Sequence, residues 1–380
     1  MKHKFLMISL GFALFSMFFG SGNLVFPLTV GKESDGHFML ATLGIILTGV
    51  LVPFMGVIVM VLFKGDTEQF FGTMGKKAVF WFPLIALSLM GPFGVLARCI
   101  TVAHGSFRLL FPDIALIPFS IAFCLIIYFA TLNKTKLVSL LGSILTPFLL
   151  VALAAFGIVG FSEGSFPEAA NTGSWEALQM GFFQGYQTMD LLAAFFFSTF
   201  IIHYLNERFA DKNRESQLKV ILPAIALGGS LLAAVYFILV SLGAMYAPFL
   251  ENVPPQEMLG VVANQVMGRF SAPLVCVTIS LACFTTAVVL ASLFADFLHK
   301  EVAGQRISSY VAMGITLLIA FSVSTLEFSG IARFLAPILE TLYPALIVLT
   351  VINICAKLWG TKSLRWPVVM TLLAKCSYFW

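Results

Sequence analysis

Two short polar stretches interrupt long apolar runs, and both have the composition of backbone that leaves the helix. The first is Gly20-Ser21-Gly22-Asn23, set between apolar residues 5–19 and Leu24-Val25-Phe26-Pro27. The second is Gly185-Tyr186-Gln187-Thr188-Met189-Asp190, set between residues 175–184 and the apolar run 191–204. Glycine costs roughly 1 kcal/mol relative to alanine in a helix interior, and the Asn23 side chain can hold backbone groups in a non-helical turn. A helix broken inside hydrocarbon bares amide N–H groups where one half starts and carbonyls where the other half ends. It thereby offers an anion site and a cation site without a buried charged side chain. A zwitterion needs both. The plainer alternative is that Gly20 and Gly22 allow close helix packing or a kink, and the matched second break weighs against it.

Ala282, Thr285 and Thr286 stand at i, i+3 and i+4, so a carbonyl and at least one hydroxyl share a helix face. Hard cations prefer such oxygens. Alternatively, both threonines bond back to their own helix carbonyls. The last carbonyls of the first half-helix, near Ser16 and Phe19, lack helical partners and are candidates for the same ion. Asp190 and Glu340 are carboxylates within apolar segments, where an acid is costly and functional by default. Asp190 either anchors the unwound stretch, titrates, or caps the half-helix that begins at Leu191. Glu340 falls near the outer half of its segment by this reading, and Arg98 ends the third segment near the outer face with its head reaching water.

The elements that position these residues follow from composition. Hydrophobic residues make up 59% of the 380 and charged ones only 11%, against roughly 45–50% and about 25% in soluble domains. The apolar residues come in blocks approaching the roughly 20 residues that span a bilayer. They do not alternate as barrel strands do. The blocks are 5–30, 38–63, 78–100, 114–132, 137–161, 175–204, 220–247, 271–298, 307–325 and 334–354, with a shorter one at 366–380. An N-terminus on the cytoplasmic side places Lys2, Lys4, Lys64, Lys76, Lys77, Lys134, Lys136, Arg208, Lys212, Arg214, Lys219, Lys300, Arg306, Lys357, Lys362 and Arg365 inside. Lys32, Arg98, Arg108, Arg269 and Arg333 fall outside, which is the bias expected of short loops. Lys2 and Lys4 precede a run too long for a cleaved leader, so that run is read as a retained first helix. The net charge of +4 is dispersed, and neither it nor any basic run points to nucleic acid. The six cysteines lie in apolar blocks and predict no disulfide framework or metal site. The five histidines are scattered, with no nucleophile motif or paired acids at one depth, so an enzyme is not expected.

At these residues the sequence resembles the branched-chain amino acid:cation symporter family, the bacterial system II carriers. The stretches that carry the resemblance are 18–27, Gly91-Pro92-Phe93 with Arg98, 185–190, 281–287 and, more weakly, Leu342-Tyr343-Pro344. It implies the leucine-transporter fold, with helices 1 and 6 discontinuous and sodium between helices 1 and 8. It also implies sodium ligands: the carbonyls of Ser16, Phe19 and Ala282 and the hydroxyls of Thr285 and Thr286. Substrate would lie against Gly20, Ser21, Gly22, Asn23, Gly185, Tyr186, Thr188 and Asp190, its carboxylate facing the half-helix that begins near Asn23.

The expectation is therefore an all-α polytopic membrane protein, a single transmembrane domain over 1–380. It comprises a 5+5 inverted repeat, 5–161 and 175–354, and an additional helix at 366–380, about 11 helices in all. Its expected work is symport of leucine, isoleucine or valine with sodium across the inner membrane, with no cofactor beyond the co-transported ion. Proton coupling through Asp190 is the near alternative, and a passive channel or membrane subunit the distant one.

Overall fold

The computed structural model describes residues 2–132, 137–167, 173–208, 214–268, 271–360 and 365–376. Lys134, Lys136, Lys212, Arg269 and Lys362 of the topology count, and residues 377–380 of the last block, lie outside them. Every regular element among the described residues is helical. The first span is α1 (Lys2–Phe18) and α2 (Ser21–Glu33), bent by 72° at the break between them. The second is α3 (Phe38–Ile46), a π-helical turn at Leu47–Leu51 and α4 (Val52–Leu62). A short α5 (Thr67–Gly72), capped by the Asp66 carboxylate on the Gln69 N–H at 2.8 Å, leads to α6 (Ala78–Met90) and α7 (Val95–Arg108). Then come α8 (Leu116–Leu132), α9 (Leu137–Glu163), α10 (Ser174–Gln187), α11 (Asp190–Arg208) and α12 (Arg214–Met245). A connecting α13 (Met258–Met267) precedes α14 (Ser271–Phe297), α15 (Ser309–Ser324), α16 (Glu327–Trp359) and α17 (Trp366–Cys376).

Each apolar block of the sequence corresponds to one helix or one interrupted pair. Five helical stretches, 35–62, 78–108, 219–245, 272–302 and 327–359, are long and apolar enough to cross a membrane, as is the bent α1–α2 pair. Three described apolar stretches are shorter: Leu116–Thr131, Leu150–Glu163 and Ser309–Ser324.

The third span departs from expectation. It runs to Arg108 rather than ending near residue 100, and it loosens over Gly91-Pro92-Phe93-Gly94. Pro92 has no N–H to give. The Gly91 N–H bonds to Leu87 O at 2.8 Å, that of Phe93 to Ser88 O at 3.1 Å and that of Leu96 to Gly91 O at 3.2 Å, so the turn is wider than α-helical. A hydropathy reading passes over it because proline, phenylalanine and glycine leave the run apolar.

The packing has an exchange symmetry. Both halves of the first span lie along α12 in the seventh span, while the sixth span lies along the second, α10 on α3 and α11 on α4. The third and eighth spans, α7 and α14, pair with one another. Exchanging spans 1 with 6, 2 with 7 and 3 with 8 leaves this pattern unchanged, as two related five-helix units require. Backbones meet closely at these interfaces. A Cβ on Gly181 would stand 2.0 Å from Ala41 O, and one on Gly31 would stand 2.0 Å from Val240 O. Small residues let helix axes approach where no water exists to drive association.

Candidate functional site

The two breaks are fastened to each other through one side chain. Gly20 is extended (φ −127°, ψ −165°), which ends α1 and starts α2. Its N–H donates to Asn23 Oδ1 at 3.2 Å, so the first break is held by the side chain that the sequence suggested could hold it. Asn23 Nδ2 then donates to Asp190 Oδ2 at 2.6 Å and to the Tyr236 hydroxyl at 2.7 Å. Tyr236 donates in turn to Asp190 Oδ2 at 3.4 Å. All three residues are buried. The triad joins α2, α11 and α12 across 167 and 213 residues of chain. Asp190 thereby ties the start of α11 to two other helices. In the second break Met189 has φ +60°, a left-handed conformation that is uncommon for a residue with a side chain.

Beside the triad lies a small cavity bounded by Gly20, Gly22, Asn23, Thr188, Met189 and Asp190 from the breaks, and by Arg98 and Thr286. Its remaining wall is apolar: Met17, Phe18, Met90, Val95, Ala193, Phe197 and Leu290. Met17 and Phe18 end α1, and Ala193 and Phe197 lie in the first two turns of α11, so the cavity extends toward the face from which the chain starts. The opposite side is packed shut. Phe26 and Phe328 have ring centroids 5.3 Å apart, Tyr186 and Tyr343 4.8 Å. Further out, Arg108 of α7 pairs with Glu257, next to α13, at 2.5 Å.

Arg98 is not at the outer face. Because α7 continues ten residues past it, the guanidinium lies about 15 Å below that end, with 1% of its surface exposed. Nη1 donates to Gln187 O and Nη2 to Gln187 Oε1, both at 2.6 Å. The ring centroids of Phe26 and Phe328 lie 5.0 and 5.5 Å from its central carbon. Gln187 ends α10, so a cation sits at that helix's negative end.

The other candidates divide. Thr286 reaches the cavity. Thr285 donates to Ala282 O at 3.0 Å, the self-bonding alternative, which also occupies the Ala282 carbonyl. Thr188 lines the cavity and donates to Gly185 O at 2.9 Å. Ser16 is partly buried and already engaged, and the Phe19 ring stacks on Phe15 at 5.1 Å. Ser21 accepts from Cys99 Sγ at 3.4 Å, Tyr186 belongs to the aromatic packing around Tyr343, and Gly185 is pressed on Thr48, whose hydroxyl donates to Phe182 O at 2.7 Å. These three face neighbouring helices, not the cavity. Glu340 is partly buried in α16 and does not line it. Sequence reasoning missed Tyr236. The available signal was a tyrosine in mid-span, away from the interfaces where tyrosine concentrates.

Comparison with known proteins adds an independent view. A family model described as branched-chain amino acid transport protein matches residues 3–379. A Staphylococcus aureus (strain USA300) protein named as a candidate branched-chain amino acid carrier is 29% identical over 398 residues, covering 97% of this chain and 86% of its own. The corresponding protein of strain MRSA252 is 28% identical over 402 residues, with the same coverage. Among solved structures, MhsT in complex with L-phenylalanine superposes with TM-score 0.65 at 16% identity, covering 96% of this chain and 97% of that one. The inward-facing conformation of Mhp1 superposes at 0.63 and 14%, covering 91% and 76%. At these identities the likeness concerns the fold, which is that of the leucine transporter.

Proposed function

The chain belongs to the branched-chain amino acid transport protein family, and from that premise we propose that it imports leucine, isoleucine or valine by symport with sodium. Membership and fold point to a multi-pass membrane transporter of a small solute, not an enzyme. The observation that carries the finer reading is the Asn23–Asp190–Tyr236 link between two helix breaks at the edge of a cavity whose other walls are mostly apolar. Such a place suits an aliphatic side chain beside a charged head group. Sodium would sit against the end of α1 and α14, where Thr286 already faces the break. Ser16, Phe19, Ala282 and Thr285 would complete its shell after local rearrangement, since the Ala282 carbonyl and the Thr285 hydroxyl now bond to each other. With the basic loops cytoplasmic, the extended side of the cavity faces the cytoplasm and the Arg108–Glu257 side faces out, an inward-directed arrangement. Ion binding that favours the outward-directed arrangement would couple the gradient to uptake, as a differential affinity between states.

Proteoliposomes test this with labelled leucine, isoleucine, valine and alanine, with sodium or choline outside and at two pH values. The expectation is sodium-dependent accumulation of the first three. Thr286→Ala should raise the sodium concentration for half-activation more than Thr285→Ala. Full wild-type sodium activation in the double variant would remove the ion site. A proton-coupled version is favoured by one observation: the partners of the buried Asp190 carboxylate, Asn23, Tyr236 and Thr188, are all neutral. Uptake that ignores choline replacement but follows pH, and is lost in Asp190→Asn, would select it.

A further inference from the structure

Arg98 presents a full positive charge in a buried place without an anion beside it. Its Nε has no hydrogen-bond partner, and both terminal nitrogens go to a neutral residue, Gln187. Among the described residues the ion pair is elsewhere, at Arg108–Glu257. Two aromatic faces and the end of a helix dipole offset part of the charge. Holding an ion away from water without a counter-ion is unfavourable, and the orphaned Nε marks a donor still short of an anion. Asp190 stands in the matching position with the opposite sign. It lines the same cavity, takes its hydrogen bonds on Oδ2 from neutral donors, and makes no ion pair.

We propose that Arg98 is the anchor for the α-carboxylate of the transported amino acid, with Asp190 facing its ammonium, so that one zwitterion neutralises both buried charges. The assignment rests on the amino acid reading above and deepens it. The planar fork of a guanidinium suits a carboxylate, and Arg98 would exchange Gln187 Oε1 for a substrate oxygen. The aliphatic side chain then points to Met17, Phe18, Phe197 and Leu290. This differs from the expectation that the amide end of α2 alone receives the carboxylate. It also gives the polar break of the sixth span a role: Gln187 holds the guanidinium in place while no carboxylate is bound. The competing account is that Arg98 only caps the end of α10.

Binding to the purified full chain in nanodiscs, with sodium present, separates these. The probes are leucine, leucinamide, which lacks the carboxylate charge, and 4-methylpentanoate, which lacks the ammonium. The wild type should bind leucine far better than either analogue. Arg98→Gln should weaken leucine on the order of 100-fold, as loss of one partner of a buried charge pair does, and leave leucinamide nearly unchanged. Arg98→Lys, which keeps the charge without the fork, should keep a preference for leucine over leucinamide at about tenfold lower leucine affinity. It carries the decision if Arg98→Gln does not fold. Leucinamide binding as tightly as leucine, or a leucine-to-leucinamide ratio unmoved by either variant, would overturn the anchor while leaving amino acid transport standing. With isoleucine and valine added as probes, a wild type that binds none of the three amino acids would overturn the transport reading and the anchor together.

Discussion

Asn23 is the residue on which the site turns, because its amide spends both donors and its acceptor on three separate pieces of chain. Gly20 belongs to one break, Asp190 to the other, and Tyr236 to the helix that runs along the first span. Removing it takes from a buried carboxylate its shortest hydrogen bond, leaving the longer one from Tyr236 and the neighbouring Thr188 hydroxyl. Stranding a buried charged acceptor costs about 3 kcal/mol. Asn23→Ala should therefore lower the thermal inactivation midpoint of the purified protein. Adding Asp190→Ala to Asn23→Ala should cost less than the sum of the two single losses, because the two side chains share one interaction. Additive losses would mean that the two act independently. The polarity and break-forming character of Asn23 and Asp190 were legible from residue type within an apolar run. Their partnership was not, since nothing local distinguishes Tyr236 from other aromatic residues as their third member.

At the scale of elements, the glycines do two different jobs, and stability measurements separate them. At Gly181 a Cβ would meet the backbone of α3, which cannot move aside, so Gly181→Ala should push α10 off α3. Overpacking of this kind costs about 1–3 kcal/mol. At Gly20 the backbone is one any residue adopts, and the nearest atom to a new Cβ is Thr286 Cγ2 at 3.5 Å, an ordinary contact. Gly20→Ala should leave folding nearly unchanged and tell on transport instead. Fluorescence-detected chromatography of detergent extracts after heating compares the two, and equal losses would refute the distinction. The sequence named both packing and unwinding as uses for glycine at the first break. Position alone did not say which glycine served which use, because that depends on what the neighbouring helix brings opposite each Cα. The loosened turn at 91–94 was similarly present in the Gly-Pro-Phe-Gly order, yet hidden from an argument based on polarity.

For the molecule as a whole, the cavity is closed on one side by aromatic packing and a single ion pair, and that pair is the part open to solvent. The Arg108 side chain is 42% exposed and that of Glu257 18%, so the pair contributes at most about 1 kcal/mol, a roughly fivefold change in population. Glu257→Gln should shift the equilibrium by no more than that toward a state in which the α13 segment parts from α7. Probe distances between these two helices measure it. Raising salt should move the wild type in the same direction and the variant hardly at all. A wholesale shift to the parted state would instead mean that the ion pair, not Phe26, Phe328 and Tyr343, holds this side shut.

By itself the sequence determined that the protein is a set of apolar helices, several of them long enough to span a membrane, roughly where their apolar stretches lie, and two of the places where the backbone leaves the regular α-helix. Transfer of apolar residues into hydrocarbon and the cost of glycine in a helix are local free energies that add along the chain. The tertiary structure alone decided which buried polar groups meet, that Arg98 lies deep beside the cavity rather than at its mouth, and which of two adjacent threonines faces the first break. Those outcomes depend on what an element far away in sequence places opposite each side chain, and no sum over neighbours along one chain contains that information.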